Sequence, residues 1–153
     1  NTYYMKMMKT RLEKSGKVME FETDLSKEKA VPFEVVIFFL RKNLIDIVQT
    51  KDYSFTLFLP LLALELEEKG LPRSMSMIRM VAELKEKINI DTPLGEMQAR
   101  KILIFPQSGI LRALLPREKT HFEFTFSADA PYHLLEFEVG ETRHILTQLF
   151  LKQ

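Results

Sequence analysis

Residues 8–23 read MKTRLEKSGKVMEFET, two alternating runs on either side of Ser15-Gly16. A Ser-Gly pair between alternating runs is typical of a two-residue hairpin loop. Closing the hairpin there sets opposite charges against each other on one face and apolar or neutral residues on the other, as cross-strand stabilisation requires. The predicted partners are Arg11 with Glu20, Lys9 with Glu22, Leu12 with Met19, and Thr10 with Phe21.

The composition is that of one ordinary globular domain, and it excludes several kinds of site. The chain has 153 residues, of which 46% are hydrophobic and 28% charged, so we predict a single domain over residues 1–153. The 22 Lys and Arg residues nearly balance the 21 Asp and Glu residues, which gives no global attraction to nucleic acid or to an anionic membrane. The sequence contains no cysteine, which excludes disulfides and thiolate metal sites and fits a reducing cytoplasm.

The apolar runs of the sequence are short. The longest span residues 35–40 and 57–64, well below the ~20 residues that a membrane-spanning helix needs. We therefore expect no membrane partner and a cytoplasmic location.

The segment 32–49 predicts a helix that is apolar nearly all round. Pro32 suits the first helical position, and apolar residues recur from there at helical spacing up to Ile47. A helix of this kind is central in a fold or lies at an interface. Because a second copy could bury it as readily as neighbouring elements, we expect a homodimer with contacts from Phe38 and Phe39.

Periodicity predicts three more helices before residue 105. They cover residues 54–69 with a kink at Pro60, residues 72–88, and residues 91–102. A strand is the alternative over the first half of the first of these segments, because that part also alternates. Met75 and Met77 lie two apart in the second, so a helix would point them to different faces. We count both as candidate partner-binding residues.

The C-terminal third predicts an antiparallel strand pair. Phe122, Phe124 and Phe126 alternate with polar residues, and a second alternating run follows the turn at residues 129–131. We interpret residues 142–152 as a helix, with a third strand as the alternative. The predicted fold class is α+β, with an antiparallel sheet built from the N-terminal hairpin and the C-terminal strands and packed against a middle layer of about four helices.

The strand pair also contains a candidate metal site, made of histidine and glutamate side chains. In the expected register, His121 and Glu123 share a sheet face with Glu136 and Glu138, and imidazole with carboxylates suits Zn²⁺, Mn²⁺ or Fe²⁺. The same carboxylates could act as an acid/base pair. A solvated outer face explains the pattern equally, and no close-spaced ligand motif accompanies it. We therefore expect no cofactor and no metal, and keep a metal-dependent enzyme as the third hypothesis.

Basic residues support a nucleic-acid hypothesis. After Glu20 and Glu22 neutralise much of the hairpin, Lys6, Lys14 and Lys17 remain to contact a phosphate backbone. A second basic group spans residues 100–119.

No catalytic or phosphate-binding motif is found in the sequence. We therefore interpret the protein as a non-catalytic protein–protein interaction or regulatory module whose partner is a second copy or another protein. A DNA- or RNA-binding regulator is the alternative.

Overall fold

The computed structural model of the chain describes residues 7–14, 17–50, 53–93, 95–139 and 142–145. The chain divides into two compact units. Unit 1 consists of Asn1–Val36 and Phe55–Arg79, and unit 2 of Ile37–Ser54 and Met80–Gln153. The prediction of a single domain stays a prediction.

Strands dominate the described residues. They are β1 (Met7–Lys14), β2 (Lys17–Asp24), β3 (Val31–Pro32), β4 (Tyr53–Phe58), β5 (Met77–Thr92), β6 (Gly95–Pro106), β7 (Phe122–Ser127), β8 (Leu134–Val139) and β9 (Thr142–Ile145). The helices are α1 (Val36–Lys42), α2 (Leu44–Gln49), α3 (Pro60–Glu68), α4 (Gly109–Leu114) and α5 (Arg117–Thr120), with 3₁₀ turns at Phe33–Val35 and Arg73–Ser76.

The predicted hairpin register is confirmed. In β1 and β2, Lys9 lies opposite Glu22, Thr10 opposite Phe21, Arg11 opposite Glu20, and Leu12 opposite Met19. The predicted loop at Ser15-Gly16 lies outside the described residues. Glu20 lies 3.6 Å from Arg11 Nε and 4.0 Å from Lys9 Nζ, and such exposed pairs contribute little to stability. The hairpin forms a two-stranded sheet of its own.

The predicted fold class is wrong. The other seven strands hydrogen-bond in the order β3-β4-β5-β6-β7-β8-β9, with β3 and β4 parallel and β5 to β9 antiparallel. The hairpin is not part of that sheet. Much of the expected helical layer is strand instead, because β4, β5 and β6 occupy the segments in which helices were predicted.

The helix predicted from residue 54 is wrong over its first half, where the strand given as the alternative is observed as β4. The last four residues of β4, Phe55–Phe58, are all buried, and periodicity alone cannot tell a fully buried strand from a buried helix. The predicted stop at Gly70 is confirmed. Gly70 has a left-handed φ of +71°, and the Leu71 N–H donates to Leu66 O at 2.8 Å, as in a Schellman motif. A small core of Leu25, Ala30, Phe58 and Ala63 is packed by Met8 and Met77.

The third and fourth predicted helices are the antiparallel partners β5 and β6. Even-numbered residues from Met80 to Ile90 carry most of the apolar side chains of β5, but Glu86 interrupts them within the irregularity between Leu84 and Lys87. That bulge hides the strand period. The predicted start of the fourth helix, Asp91 and Thr92, is the end of β5, where Thr92 lies opposite Gly95 of β6. Caps and turns use the same short polar residues.

Unit 2 places its core on one face of β6 and β7. Ile102, Ile104, Phe122, Phe124 and Phe126 are all buried. The predicted pairing of β7 with β8 is confirmed. The predicted C-terminal helix is wrong where the structure describes it, because Thr142–Ile145 pairs with β8 as β9, and residues 146–152 lie outside the described part.

Candidate functional site

The helix predicted over residues 32–49 is confirmed in its main part as α1 and α2. Asn43 joins them without loss of helical hydrogen bonds, because its N–H donates to Phe39 O at 3.1 Å and its carbonyl accepts from Ile47 N at 2.9 Å. Buried side chains of unit 2 lie on one side, at Leu40, Leu44 and Ile47. The nearly all-round apolar composition suggested burial on every side, but the helix pair is buried on one side only.

Large apolar side chains are exposed on the opposite side of this helix pair. Phe38 is 69% exposed and Ile45 is 56% exposed. Their spacing of seven residues brings them to the same side of a helix. We call these two residues the helical surface. Contiguous exposed apolar surface is typical of interaction sites, and on α4 Ile110 and Leu114 are exposed to a similar degree.

A cavity of about 180 Å³ adjoins the helical surface at Ile45. It is lined by Leu44, Ile45, Val48, Gln49, Arg100 and Tyr132. Leucine, isoleucine and valine give it an apolar wall, and the other three residues add polar groups. We call it the Arg100 cavity. An apolar pocket with a few convergent polar groups is the usual form of a binding site.

The loop between β7 and β8 brings Tyr132 to this cavity. Arg41 of α1 donates from Nε to Pro131 O at 2.7 Å, and Arg100 donates from Nε to Ala128 O at 3.2 Å. Tyr132 itself has a left-handed φ of +54°, a conformation that is uncommon for a bulky residue. Strain of this kind persists only where the surroundings fix it, and it often marks a functional site.

A cluster of charged side chains lies on the face of β6 to β9 that carries Lys101. The Lys101 ammonium lies 2.8 Å from Glu123, and Arg143 binds both oxygens of Glu136 at 2.8 Å. Glu138 lies 3.6 Å from Arg143. We call these five residues the charged face. Its glutamates have cationic partners, so its geometry is that of an ion-pair network.

The surroundings shift the pKa values of two neighbouring carboxyls of the charged face, Glu136 and Glu138, in opposite directions. Hydrogen bonds from Arg143 lower the pKa of Glu136 below its usual range. Desolvation, together with its hydrogen bond to Glu136, raises the pKa of Glu138. The pair can therefore hold a proton at Glu138 while Glu136 stays ionised.

The expected sharing of a sheet face by the glutamates is confirmed, since Glu123 lies opposite Glu138. His121 precedes β7 and stacks on Phe105 with ring centroids 6.3 Å apart, and its place on this face stays a prediction. Burial and the charges of Arg117 and Arg112 lower its pKa. Among the described residues, no group of three or more His, Asp or Glu side chains could hold a metal ion.

The four predicted partner-binding residues fall in two units and differ in exposure. Phe38 of unit 2 and Met75 of unit 1 are exposed. Phe39 is half-buried, with its ring 6.3 Å from that of Tyr53, and Met77 packs against the unit 1 core. The exposure of Phe38 and Met75 supports their use in binding, which stays a prediction.

The nucleic-acid hypothesis also stays a prediction. Lys6 lies outside the described residues, and Lys14 pairs with Lys17 in the backbone register of the hairpin. The second basic group is divided, because Arg100 lines the cavity whereas Lys101 pairs with Glu123 on the other sheet face. None of the described helices is long and apolar enough to cross a membrane.

Sequence reasoning missed Ile45, Arg100 and Tyr132 as site residues. Arg100 had a detectable signal, because it shares strand phase with Ile102 and Ile104 and so places a charge in an apolar row. Assigning this segment as a helix concealed that phase. For Tyr132, the neighbouring Pro131 indicated only a turn.

Comparison of the chain with models of protein families, with curated proteins and with solved structures gives no match.

Proposed function

We propose that this protein is a non-catalytic protein-binding module that docks a segment of another protein on the helical surface. The observation that carries the proposal is the exposure of Phe38 and Ile45 beside a cavity to which Ile45 contributes. An apolar anchor beside a pocket is the usual centre of a protein interface. Phe38 and Ile45 would cover the docked segment, and the Arg100 cavity would take one of its side chains.

The size of the cavity favours a side chain over a cofactor. Pockets for small molecules typically enclose about 300–1,000 Å³, whereas this one encloses about 180 Å³. The space therefore suits a single side chain of a partner.

The charges around the helical surface favour an acidic partner. Arg41 and Lys42 are exposed on α1, Asp46 is exposed on α2, and Arg100 lines the cavity. Cations therefore outnumber the exposed acid around this surface, which gives it a positive character. An acidic segment with an apolar anchor complements them.

Peptide selection from a random linear library tests the proposal. We expect selected peptides to bind the wild-type protein and to lose about tenfold or more in affinity for the variant with Phe38→Ser and Ile45→Ser, because each lost apolar contact contributes about 1.5–3 kcal/mol when fully buried. Fluorescence anisotropy of the labelled peptide measures the Kd. The matched control is Leu114→Ser, at a leucine of α4 that is 73% exposed.

Three outcomes would contradict the proposal. One is that no peptide is enriched, and another is that the selected peptides bind the double variant as tightly as the wild type. The third is a concentration-dependent dimer of the wild type that does not form in the double variant, because the helical surface would then be a dimer interface. Self-association elsewhere on the chain, expected from the sequence, stays a prediction. We also propose a cytoplasmic location, which the absence of cysteine supports.

A further inference from the structure

We propose that the Arg100 cavity is a carboxylate-binding site that recognises an Asp or Glu side chain, or the C-terminal carboxylate, of the docked segment. The inference rests on the proposed function and adds to it the chemistry by which the partner is selected. It follows from the position of Arg100 in the sheet, from the hydrogen bonds of its guanidinium and from the walls of the cavity.

The position of Arg100 favours a counter-charge. Residues two apart in a strand point to the same side, so Arg100 lies on the face of β6 that carries the buried Ile102 and Ile104. Its strand neighbour on β7 is the fully buried Phe126. Arg100 is itself half-buried. A carboxylate beside such a half-buried guanidinium would form charge-assisted hydrogen bonds with it.

The guanidinium of Arg100 has donors to spare. Its Nε donates to Ala128 O at 3.2 Å, and this bond holds the β7–β8 loop. Among the residues that the structure describes, its two terminal nitrogens have no hydrogen-bond or ion-pair partner. Arg143 provides a comparison within the same unit, because its Nε and Nη2 bind the two oxygens of Glu136 at 2.8 Å each. Arg100 offers a carboxylate the same planar group without an acid in place.

The loop that carries Tyr132 is held in position beside Arg100. The Ser127 hydroxyl accepts from His133 N at 2.8 Å and donates to Asp129 O at 3.0 Å. Arg41 binds the same loop at Pro131 O. A loop fixed by several hydrogen bonds loses little conformational freedom when a ligand binds, which favours binding.

The walls of the cavity indicate what accompanies the carboxylate. Leu44, Ile45 and Val48 are aliphatic, and Gln49 adds an amide. A short aliphatic stem that ends in a carboxylate would contact these aliphatic side chains and present its charge to Arg100. Glutamate and aspartate side chains have this form, and so does a C-terminal apolar residue.

Small-molecule titration followed by methyl NMR tests the site directly. The probes are 4-methylpentanoate and its uncharged counterpart 4-methylpentan-1-ol, with the methyl groups of Leu44, Ile45 and Val48 as reporters. We expect saturable shifts with the carboxylate and at least tenfold weaker binding of the alcohol. Arg100→Gln should abolish the difference between the two probes, whereas Arg112→Gln, at an exposed arginine that lies over the Phe105 ring, should preserve it.

Equal binding of the two probes to the wild-type protein would overturn the inference, and this comparison needs no variant to fold. Unchanged carboxylate binding in Arg100→Gln would overturn it as well. The result is separable from the proposed function. Selected peptides that depend on Phe38 but bind Arg100→Gln normally would leave the proposed function standing without this inference. Binding of 4-methylpentanoate without binding of any peptide would support the carboxylate site and contradict the proposed docking function.

Selected peptides distinguish the two sources of the carboxylate. If the docked segment provides a side chain, replacing its Asp or Glu by Asn or Gln should weaken binding about tenfold, while amidation of the C-terminus has no effect. If the segment provides its C-terminus, the pattern is the opposite. Peptides that tolerate both changes would contradict a carboxylate site.

Discussion

Replacing Phe124 by alanine should destabilise the protein by about 3–5 kcal/mol, the usual loss when a large aromatic side chain is removed from a core. Phe124 is 1% exposed, lies opposite Ile102 on β6 and stacks on Phe137 with ring centroids 6.0 Å apart. Its removal leaves a cavity that these neighbours can fill only in part. Urea denaturation followed by circular dichroism measures the change in the free energy of unfolding.

Phe38→Ala is the matched control for Phe124→Ala. The same substitution at this exposed phenylalanine should change the free energy of unfolding by no more than about 0.5 kcal/mol. A loss of less than about 1 kcal/mol for Phe124→Ala, or an equal loss for both variants, would contradict the assignment of the core face of β7. The contrast therefore tests both the core and the exposure of the helical surface.

Glu136→Gln should destabilise the protein by about 1–3 kcal/mol at neutral pH, because a buried carboxylate loses its charge-assisted hydrogen bonds to Arg143. The Glu136 side chain is only 9% exposed, and Arg143 lowers its pKa. A lowered pKa in the folded state stabilises the protein above the ordinary glutamate pKa of about 4.3. This contribution is lost as the pH falls through the folded-state pKa.

Glu138→Gln is expected to act in the opposite direction. Since the folded state raises the pKa of Glu138, its contribution is present below the ordinary pKa and is lost as the pH rises through the folded-state pKa. The variant should therefore be more stable than the wild type at neutral pH, with the difference vanishing in acid. Thermal melts of both variants across the acid range check the signs. Equal losses at neutral pH would contradict the assigned directions.

Local pairing explains which parts of the fold could be predicted. The register of the hairpin follows from charges at Lys9, Arg11, Glu20 and Glu22, and the β7–β8 pair follows from alternation around Phe124. In both cases the partners lie close together in the sequence. The information needed for the prediction is therefore contained in one short stretch.

The middle of the chain could not be read in this way. The bulge between Leu84 and Lys87 obscures the alternation of β5, and the segment of β4 fits a strand and the start of a helix equally, because its last four residues are all buried. The two segments therefore looked helical. Their strand state depends on pairing partners that local sequence does not specify.

Only part of the candidate site could be foreseen. Phe38 was predicted as a contact residue from the helix alone. The Arg100 cavity needs α2, β6 and the β7–β8 loop to meet, and Tyr132 reaches it through a backbone conformation that no sequence pattern indicated. Contacts among distant segments were not accessible without the sheet register.

The most direct test of the proposed docking surface is the Kd of a library-selected peptide for the wild-type protein and for the variant with Phe38→Ser and Ile45→Ser, measured by fluorescence anisotropy. We predict a loss of about tenfold or more in the double variant, with Leu114→Ser unchanged. Equal affinity for all three proteins would contradict the assignment of the helical surface as the binding site.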